Sequence, residues 1–126
     1  GIPALLSYLQ SAGIQIAVAS NKYQAATEKL VAHYFPEIHF TAVFGQREGV
    51  NVKPDPTIVF DILKLANVRK EDVLYVGDSG VDMQTAANAG VTACGVTWGF
   101  RPRTELEEFN PAYITDTAEE IKKMVL

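Results

Sequence analysis

The stretch "VLYVGDSGVDMQTAANAG", residues 73–90, decides the fold class of this chain. It opens with an apolar run, becomes polar at Asp78, and continues with a short helix-forming segment that ends at Gly90. This pattern predicts a strand over residues 72–79 and a helix over residues 82–89. A strand that is apolar along most of its length is typical of a parallel sheet covered on both faces.

The rest of the chain repeats this alternation of helix and strand. Further strands are predicted at residues 14–20, 41–45 and 92–99, with a short last one at "AYIT", and further helices at the start of the chain and at residues 23–34 and 56–66. Two capping-box patterns, Thr104 with Glu107 and Thr117 with Glu120, predict two more short helices. Strict alternation predicts a three-layer α/β/α, Rossmann-like domain over residues 1–126, with helices on both faces of a parallel sheet.

Composition and charge exclude several classes of partner. Apolar residues make up 48% of the chain, which is enough for a compact core. The net charge of −4 provides no basic field for nucleic acid or for an anionic membrane surface. No apolar stretch approaches the roughly 18–20 residues of a membrane span. Cys94 is the only cysteine, so we expect an inert core thiol, no intrachain disulfide and a reducing, cytoplasmic setting.

Polar side chains follow the predicted strands where a ligand is expected. Open α/β sheets bind ligands beyond the carboxyl ends of their strands. Ser20 and Asn21 come after the first strand, Lys53 lies in the loop after the second, and Asp78 and Asp82 follow the third. The sequence therefore predicts that a hydroxyl, an amide, an ammonium group and two carboxylates meet at one edge.

Taken singly, most of these residues have an ordinary structural interpretation. Ser20 or Asn21 can cap the helix that follows, Asp82 can serve the helix dipole alone, and a lysine such as Lys53 is usually a solvated loop residue. Asp78, at the end of a buried strand, is better explained by a cation, and Mg²⁺ favours one or two carboxylates plus waters and phosphate oxygens. Together the groups suit phosphoryl transfer, although no nucleophile is evident.

Three stretches, "IQIAVASNK", "VNVKPDP" and "VLYVGDSGVDMQTAANAG", followed by "GVTWGF", carry a family resemblance. In order and spacing they resemble the second, third and fourth motifs of the haloacid dehalogenase-like hydrolases, in the phosphoglycolate phosphatase-like branch. The resemblance covers nearly the whole chain. It implies a Mg²⁺-dependent phosphatase that acts through an aspartyl-phosphate on a small phosphorylated metabolite, with phosphoglycolate as the first candidate.

The same resemblance implies a role for each matching residue. Ser20 would hydrogen-bond the transferring phosphoryl group, with Asn21 beside it. Lys53 would bridge that group and the nucleophile. Asp78 would ligate Mg²⁺, and Asp82 would complete the acidic surround of the metal or orient Lys53, often through water.

The first motif of the family, Asp-x-Asp on a central strand, has no match in this chain. In the family that strand lies between the strands that end here at Ser20 and Asp78, and the cap domain follows it. Both are expected upstream of Gly1, in a longer phosphatase of which these residues form the C-terminal part. Alone, the chain is expected to have no turnover and to present two strand edges to a gap, open to another segment or to self-association.

Other functions remain open at this point. A sugar-phosphate mutase of the same superfamily shares the same motifs and differs mainly in the missing cap. A non-catalytic phosphate- or Mg²⁺-binding module is a second alternative. A signalling or nucleotide-binding domain is disfavoured, since the sequence has neither G-x-G-x-x-G nor a Walker-type loop.

Overall fold

The computed structural model describes residues 1–125, which alternate helix and strand as the sequence predicts. The helices are α1 (Ile2–Ser11), α2 (Gln24–Tyr34), α3 (Thr57–Ala66), α4 (Gly80–Ala89), α5 (Arg103–Glu107) and α6 (Ala118–Val125). The strands are β1 (Ala17–Tyr23), β2 (Ala42–Gln46), β3 (Leu74–Gly77), β4 (Thr92–Val96) and β5 (Tyr113–Thr115). Every strand pair is parallel, so the predicted α/β class is confirmed.

The strands form two sheets rather than the single sheet that alternation predicts. One sheet has the order β1–β2 and the other the order β3–β4–β5. Within the described residues, β1 and β3 each pair on one side only. The division falls between the strands that lead to Ser20 and to Asp78, where the family resemblance places a missing central strand.

Helices cover both faces of the three-stranded sheet. On one face of β4, Ala93 packs in a cluster with Met83 of α4 and Leu106 of α5. On the other face, Cys94 packs with side chains of α1 and with Ile121 of α6. Because successive residues of a strand point to opposite faces, β4 is buried from both sides. The predicted three-layer arrangement is thus present around this sheet.

A cavity of about 870 Å³ separates the two sheets. Its lining is mostly apolar and comes from α1, β1, α3 and β3, including Leu6, Ala19, Ile62 and Val76. Along it β1 is only partly buried, although its composition predicts burial on both faces. The strand also begins at Ala17, three residues later than predicted, and runs on to Tyr23.

The ends of α4 follow local chemistry. The Ser79 hydroxyl oxygen accepts a hydrogen bond from the Asp82 N–H at 3.2 Å, which caps a free backbone donor of the first turn. The helix therefore begins at Gly80, two residues before the predicted start. It ends at Gly90, whose φ of 75° lies in the left-handed region that glycine adopts without a steric cost.

The two predicted capping boxes do not form. Helix α5 begins at Arg103 and has no side-chain cap, so Thr104 lies inside its first turn. Before α6, the Thr117 N–H donates to the hydroxyl oxygen of Thr115 at 3.2 Å. That hydroxyl donates in turn to Glu120 Oε2 at 2.8 Å. The cap of α6 is thus centred on a residue of β5, two positions before the predicted one.

None of the helices formed by residues 1–125 has the length and hydropathy needed to cross a membrane.

Candidate active site

Lys53 and Asp82 form the centre of the candidate site. Lys53 lies in the loop between β2 and α3, and its Nζ donates to Asp82 Oδ1 at 2.7 Å. The same ammonium donates to the carbonyl oxygen of Ala19, the third residue of β1, at 3.2 Å. The side chains of Lys53 and Asp82 are only 10% and 12% exposed. Lys53 is therefore a fixed, largely desolvated cation rather than a solvated loop residue.

The Asp82 carboxylate accepts four hydrogen bonds. Oδ1 accepts from Lys53 and, at 3.1 Å, from the Tyr75 hydroxyl. Oδ2 accepts from the Asp78 N–H and the Ser79 hydroxyl, both at 3.1 Å. Burial by itself would raise the pKa of Asp82, but the charge of Lys53 and these hydrogen bonds outweigh it, so the pKa is lowered. Of the two roles that the resemblance allows Asp82, the geometry favours orienting Lys53, through direct contact.

Two asparagine side chains hold the Lys53 loop. Asn21 Oδ1 accepts from the Lys53 N–H at 2.9 Å, and Asn21 Nδ2 donates to the Lys53 carbonyl at 3.3 Å. From the other side, Asn88 of α4 donates to the Pro54 carbonyl at 2.9 Å. The side-chain amide of Asn21, which the family resemblance places beside the phosphoryl group, is thus engaged with the backbone of the Lys53 loop.

Ser20 lies in an irregular part of β1. The pairing register with β2 shifts between Ala19 and Tyr23, so Ser20 falls outside the regular ladder. Its hydroxyl oxygen accepts from the Lys22 N–H at 3.1 Å, a bond that leaves the hydroxyl proton for another acceptor. The Ala19 carbonyl accepts a hydrogen bond from Lys53 Nζ, and Ser20 is the next residue in the chain. Ser20 therefore lies beside the residue that anchors the lysine.

Asp78 follows β3 and is exposed. Among the described residues, none donates a hydrogen bond to its carboxylate, so both oxygens can bind a cation. A Cβ placed on Gly99 would lie 2.6 Å from the Asp78 Cβ, so the loop after β4 passes directly against this residue. One strand-end carboxylate fits the small protein ligand set that Mg²⁺ takes. Residues 1–125 contain no cluster of three or more His, Cys, Asp or Glu side chains that could hold a metal.

Sequence reasoning assigned Gly77 to the turn before α4, but it missed Tyr75 and Gly99. A Cβ on Gly77 would lie 2.6 Å from Asp82 Cγ, just as Gly99 abuts Asp78. The one available signal was a tyrosine in an apolar strand, since a buried phenol usually finds a hydrogen-bond partner. Gly99 gave no signal, because its neighbour Asp78 lies in a much earlier segment of the chain.

Comparison with known proteins identifies the family of the chain. A family model described as haloacid dehalogenase-like hydrolase matches residues 1–96. That is more than half of the chain, and the chain belongs to this family.

Several individual proteins resemble the chain along almost its whole length. A phosphoglycolate phosphatase from Pseudomonas savastanoi pv. phaseolicola is 31% identical over 99% of this chain and 45% of its own length. A solved structure from Lactobacillus delbrueckii subsp. bulgaricus, provisionally assigned as a phosphoglycolate phosphatase, is 34% identical with a TM-score of 0.93. It is covered over 52% of its length, and this chain over 99%. A Thermotoga maritima structure, provisionally assigned as a β-phosphoglucomutase, is 25% identical with a TM-score of 0.88, covering 100% of this chain and 60% of that one. The chain thus spans about half the length of the relatives it matches.

Proposed function

We propose that the protein containing this chain hydrolyses a small phosphomonoester by way of an aspartyl-phosphate. The observation that carries the proposal is the buried Lys53 ammonium, held by Asp82 Oδ1 at 2.7 Å and anchored next to Ser20. A fixed cation and a hydroxyl donor beside the irregular part of β1 suit the charge that develops on a transferring phosphoryl group.

Three side chains of this chain, Lys53, Ser20 and Asp82, have defined tasks in the proposed reaction. Lys53 neutralises charge on the phosphoryl oxygens and on the attacking carboxylate, and the Ser20 hydroxyl donates to a phosphoryl oxygen. Asp82 keeps the ammonium in place without taking part in bond changes. A carboxylate supplied by a segment outside these residues attacks phosphorus as the ester P–O bond breaks, and the leaving oxygen takes a proton from a second carboxylic acid of that segment. Water then gives a proton back to this second group, attacks the aspartyl-phosphate and releases inorganic phosphate and the first carboxylate.

Asp78 is the residue proposed to hold Mg²⁺. Its exposed carboxylate accepts no hydrogen bond within residues 1–125, and it lies between β3 and the start of α4, the helix that carries Asp82. When bound there, the metal supplies charge neutralisation for the phosphoryl oxygens.

Phosphoglycolate is the proposed first substrate. Support comes from the relatives that carry this name at 31% and 34% identity. The side chains that select the substrate are proposed to lie on the part of those relatives that this chain does not span.

The test compares the full-length protein with the 126-residue chain in p-nitrophenyl phosphate hydrolysis, with and without Mg²⁺. The full-length protein is expected to turn over only with Mg²⁺, and the 126-residue chain is expected to be inactive. A Lys53→Met variant of the full-length protein should lose about a hundredfold or more in kcat, the usual scale for one electrostatic group. Turnover by the chain alone would refute the proposed outside nucleophile.

A phosphosugar mutase is the second candidate, favoured by the similarity to the Thermotoga maritima structure. The full-length protein can be incubated with a hexose 1-phosphate and followed by ³¹P NMR. Conversion to the 6-phosphate without release of inorganic phosphate would support the mutase, whereas release of phosphate supports the phosphatase.

A further inference from the structure

Tyr75 contacts the centre of the site from the sheet side. It is the second residue of β3, and its hydroxyl donates to Asp82 Oδ1 at 3.1 Å. The same oxygen accepts from Lys53 Nζ at 2.7 Å, and that nitrogen lies 6.0 Å from the centre of the Tyr75 ring. One carboxylate oxygen therefore joins the phenol to the ammonium.

The direction of this hydrogen bond is fixed. An ionised carboxylate can only accept, so the phenol must be the donor. Burial raises the pKa of Tyr75, and the negative charge of Asp82 raises it further. The hydroxyl thus keeps its proton throughout the pH range in which a phosphatase is assayed.

Loss of the phenol proton donor would leave Oδ1 with Lys53 as its one remaining donor among the described residues. The bonds on Oδ2 come from Asp78 and Ser79, at the start of α4, and hold the other side of the carboxylate. Tyr75 is the contact that fixes Oδ1 from within the strand. Without it Oδ1 is bonded only to the ammonium that it positions, so the Oδ2 bonds and the Ala19 carbonyl are left to restrain the pair.

We propose that Tyr75 is a positioning residue whose hydroxyl, through Asp82, keeps the Lys53 ammonium aimed at the transferring phosphoryl group. This inference rests on the proposed phosphatase function. Tyr75 itself does not touch the substrate, and its contribution passes entirely through the lysine.

A double-mutant cycle in the full-length protein tests the proposal, with p-nitrophenyl phosphate and saturating Mg²⁺. Tyr75→Phe keeps the ring and removes the hydroxyl, so we expect kcat to fall about five- to fiftyfold while KM changes less than twofold. In a Lys53→Met background the same substitution should change kcat less than twofold, because groups that act as a unit are not additive. Tyr75→Met, which also lacks the hydroxyl but fills the space differently, should behave like Tyr75→Phe.

Tyr113→Phe is the matched control. Tyr113 lies on β5 of the same sheet and is 43% exposed, so its variant should retain wild-type kcat. Equal losses for Tyr75→Phe in the wild-type and Lys53→Met backgrounds would show a general structural role and overturn the proposal. Wild-type kcat in Tyr75→Phe would overturn it as well.

A second measurement is independent of turnover. The Lys53 ammonium protons can be followed by ¹H–¹⁵N NMR, where a fixed and buried group exchanges slowly enough to be seen. Tyr75→Phe should shift or broaden this signal, and an unchanged signal would contradict the proposal. If the wild-type protein has no phosphatase activity, the proposed function fails, and this signal still decides whether Tyr75 positions the lysine.

Discussion

Asp82 Oδ1 lies 2.7 Å from Lys53 Nζ, and it joins a helix that follows β3 to a loop that follows β2. The pair is buried, with 10% and 12% of the two side chains exposed. Since β2 and β3 belong to different sheets, this ion pair links the two halves of the structure at the candidate site. Two of the predictions below concern this pair, and three concern other parts of the chain.

The two partners should contribute unequally to stability. Asp82→Ala removes four hydrogen bonds and leaves a buried ammonium without its counter-ion, so we expect a loss of about 3–5 kcal/mol in unfolding free energy. Lys53→Met leaves the carboxylate with three donors and should cost about 1–2 kcal/mol. Urea unfolding measures both.

Asp72→Asn, in an exposed pair with Arg69, is the control and should change stability by about 0.5 kcal/mol or less. Equal losses for the two buried variants would contradict this account of the carboxylate.

Stability should decrease in acid through Asp82. The pKa of this group is lower in the folded state than the unfolded value of about 3.9, so its stabilising contribution is fully present above that value. It is lost as the pH falls through about 4 towards the folded pKa. The difference in unfolding free energy between wild type and Asp82→Asn should be constant from pH 7 to about pH 5 and should narrow below pH 4. A difference that does not change with pH would contradict the lowered pKa.

Gly99→Ala should displace Asp78. The new methyl group would lie 2.6 Å from the Asp78 Cβ, so the backbone at one of the two residues must shift and the Asp78 carboxylate changes position with it. We expect the Mg²⁺ concentration for half-maximal activity of the full-length protein to rise about threefold or more, with a matching loss of affinity in calorimetric Mg²⁺ titration. Gly49→Ala, where φ is 79° and the surrounding space is open, should lower stability but leave Mg²⁺ affinity unchanged.

Cys94 should be unreactive in the folded protein. It is fully buried, and burial, with a further contribution from the charge of Glu120, raises the pKa of its thiol to about 11. At pH 8 only about one thiol in a thousand is then ionised, and the thiolate is the reactive form. Ellman's reagent is expected to label no cysteine in native protein and one per chain in guanidinium. Rapid labelling under native conditions would show that the core around β4 opens.

The 126-residue chain should self-associate through its unpaired strand edges. β1 and β3 each lack a partner on the side of the 870 Å³ cavity within the described residues. Unpaired edges beside apolar surface promote strand pairing between molecules. Light scattering after gel filtration should show an average mass that rises with chain concentration. Val76→Lys, at an exposed position of β3 that lines the cavity, should reduce the rise. A concentration-independent monomer would contradict the prediction.

Sequence reasoning placed most elements of the fold correctly, because apolar periodicity and glycine punctuation are local signals. It failed in two places, one decided by local hydrogen bonds and one by distant contacts. The capping box predicted at Thr117 gave way to Thr115, whose hydroxyl accepts from the Thr117 N–H and donates to Glu120. The strand at 14–20 was predicted to be buried on both faces, yet β1 borders the cavity and is partly exposed.

Sequence reasoning likewise selected the residues of the candidate site but could not assign their contacts. The rule that ligands bind at the carboxyl ends of strands was enough to select Ser20, Asn21, Lys53, Asp78 and Asp82. The separate roles of these five residues could not be deduced from their spacing in the sequence. Whether an asparagine contacts a ligand or, like Asn21, the backbone of Lys53 depends on where a loop 32 residues away returns.

The sequence by itself determined the α/β class, the positions of the polar residues after the strands, and the absence of an Asp-x-Asp motif. These depend on the order of residue types along the chain, which no later packing alters. The tertiary structure alone decided that the Asp82 carboxylate accepts four hydrogen bonds, while the Asp78 carboxylate accepts none within residues 1–125. The two carboxylates of "YVGDSGVD" are only four residues apart. They differ in the hydrogen-bond donors around them, so Asp82 is held against Lys53 while Asp78 is open to a cation.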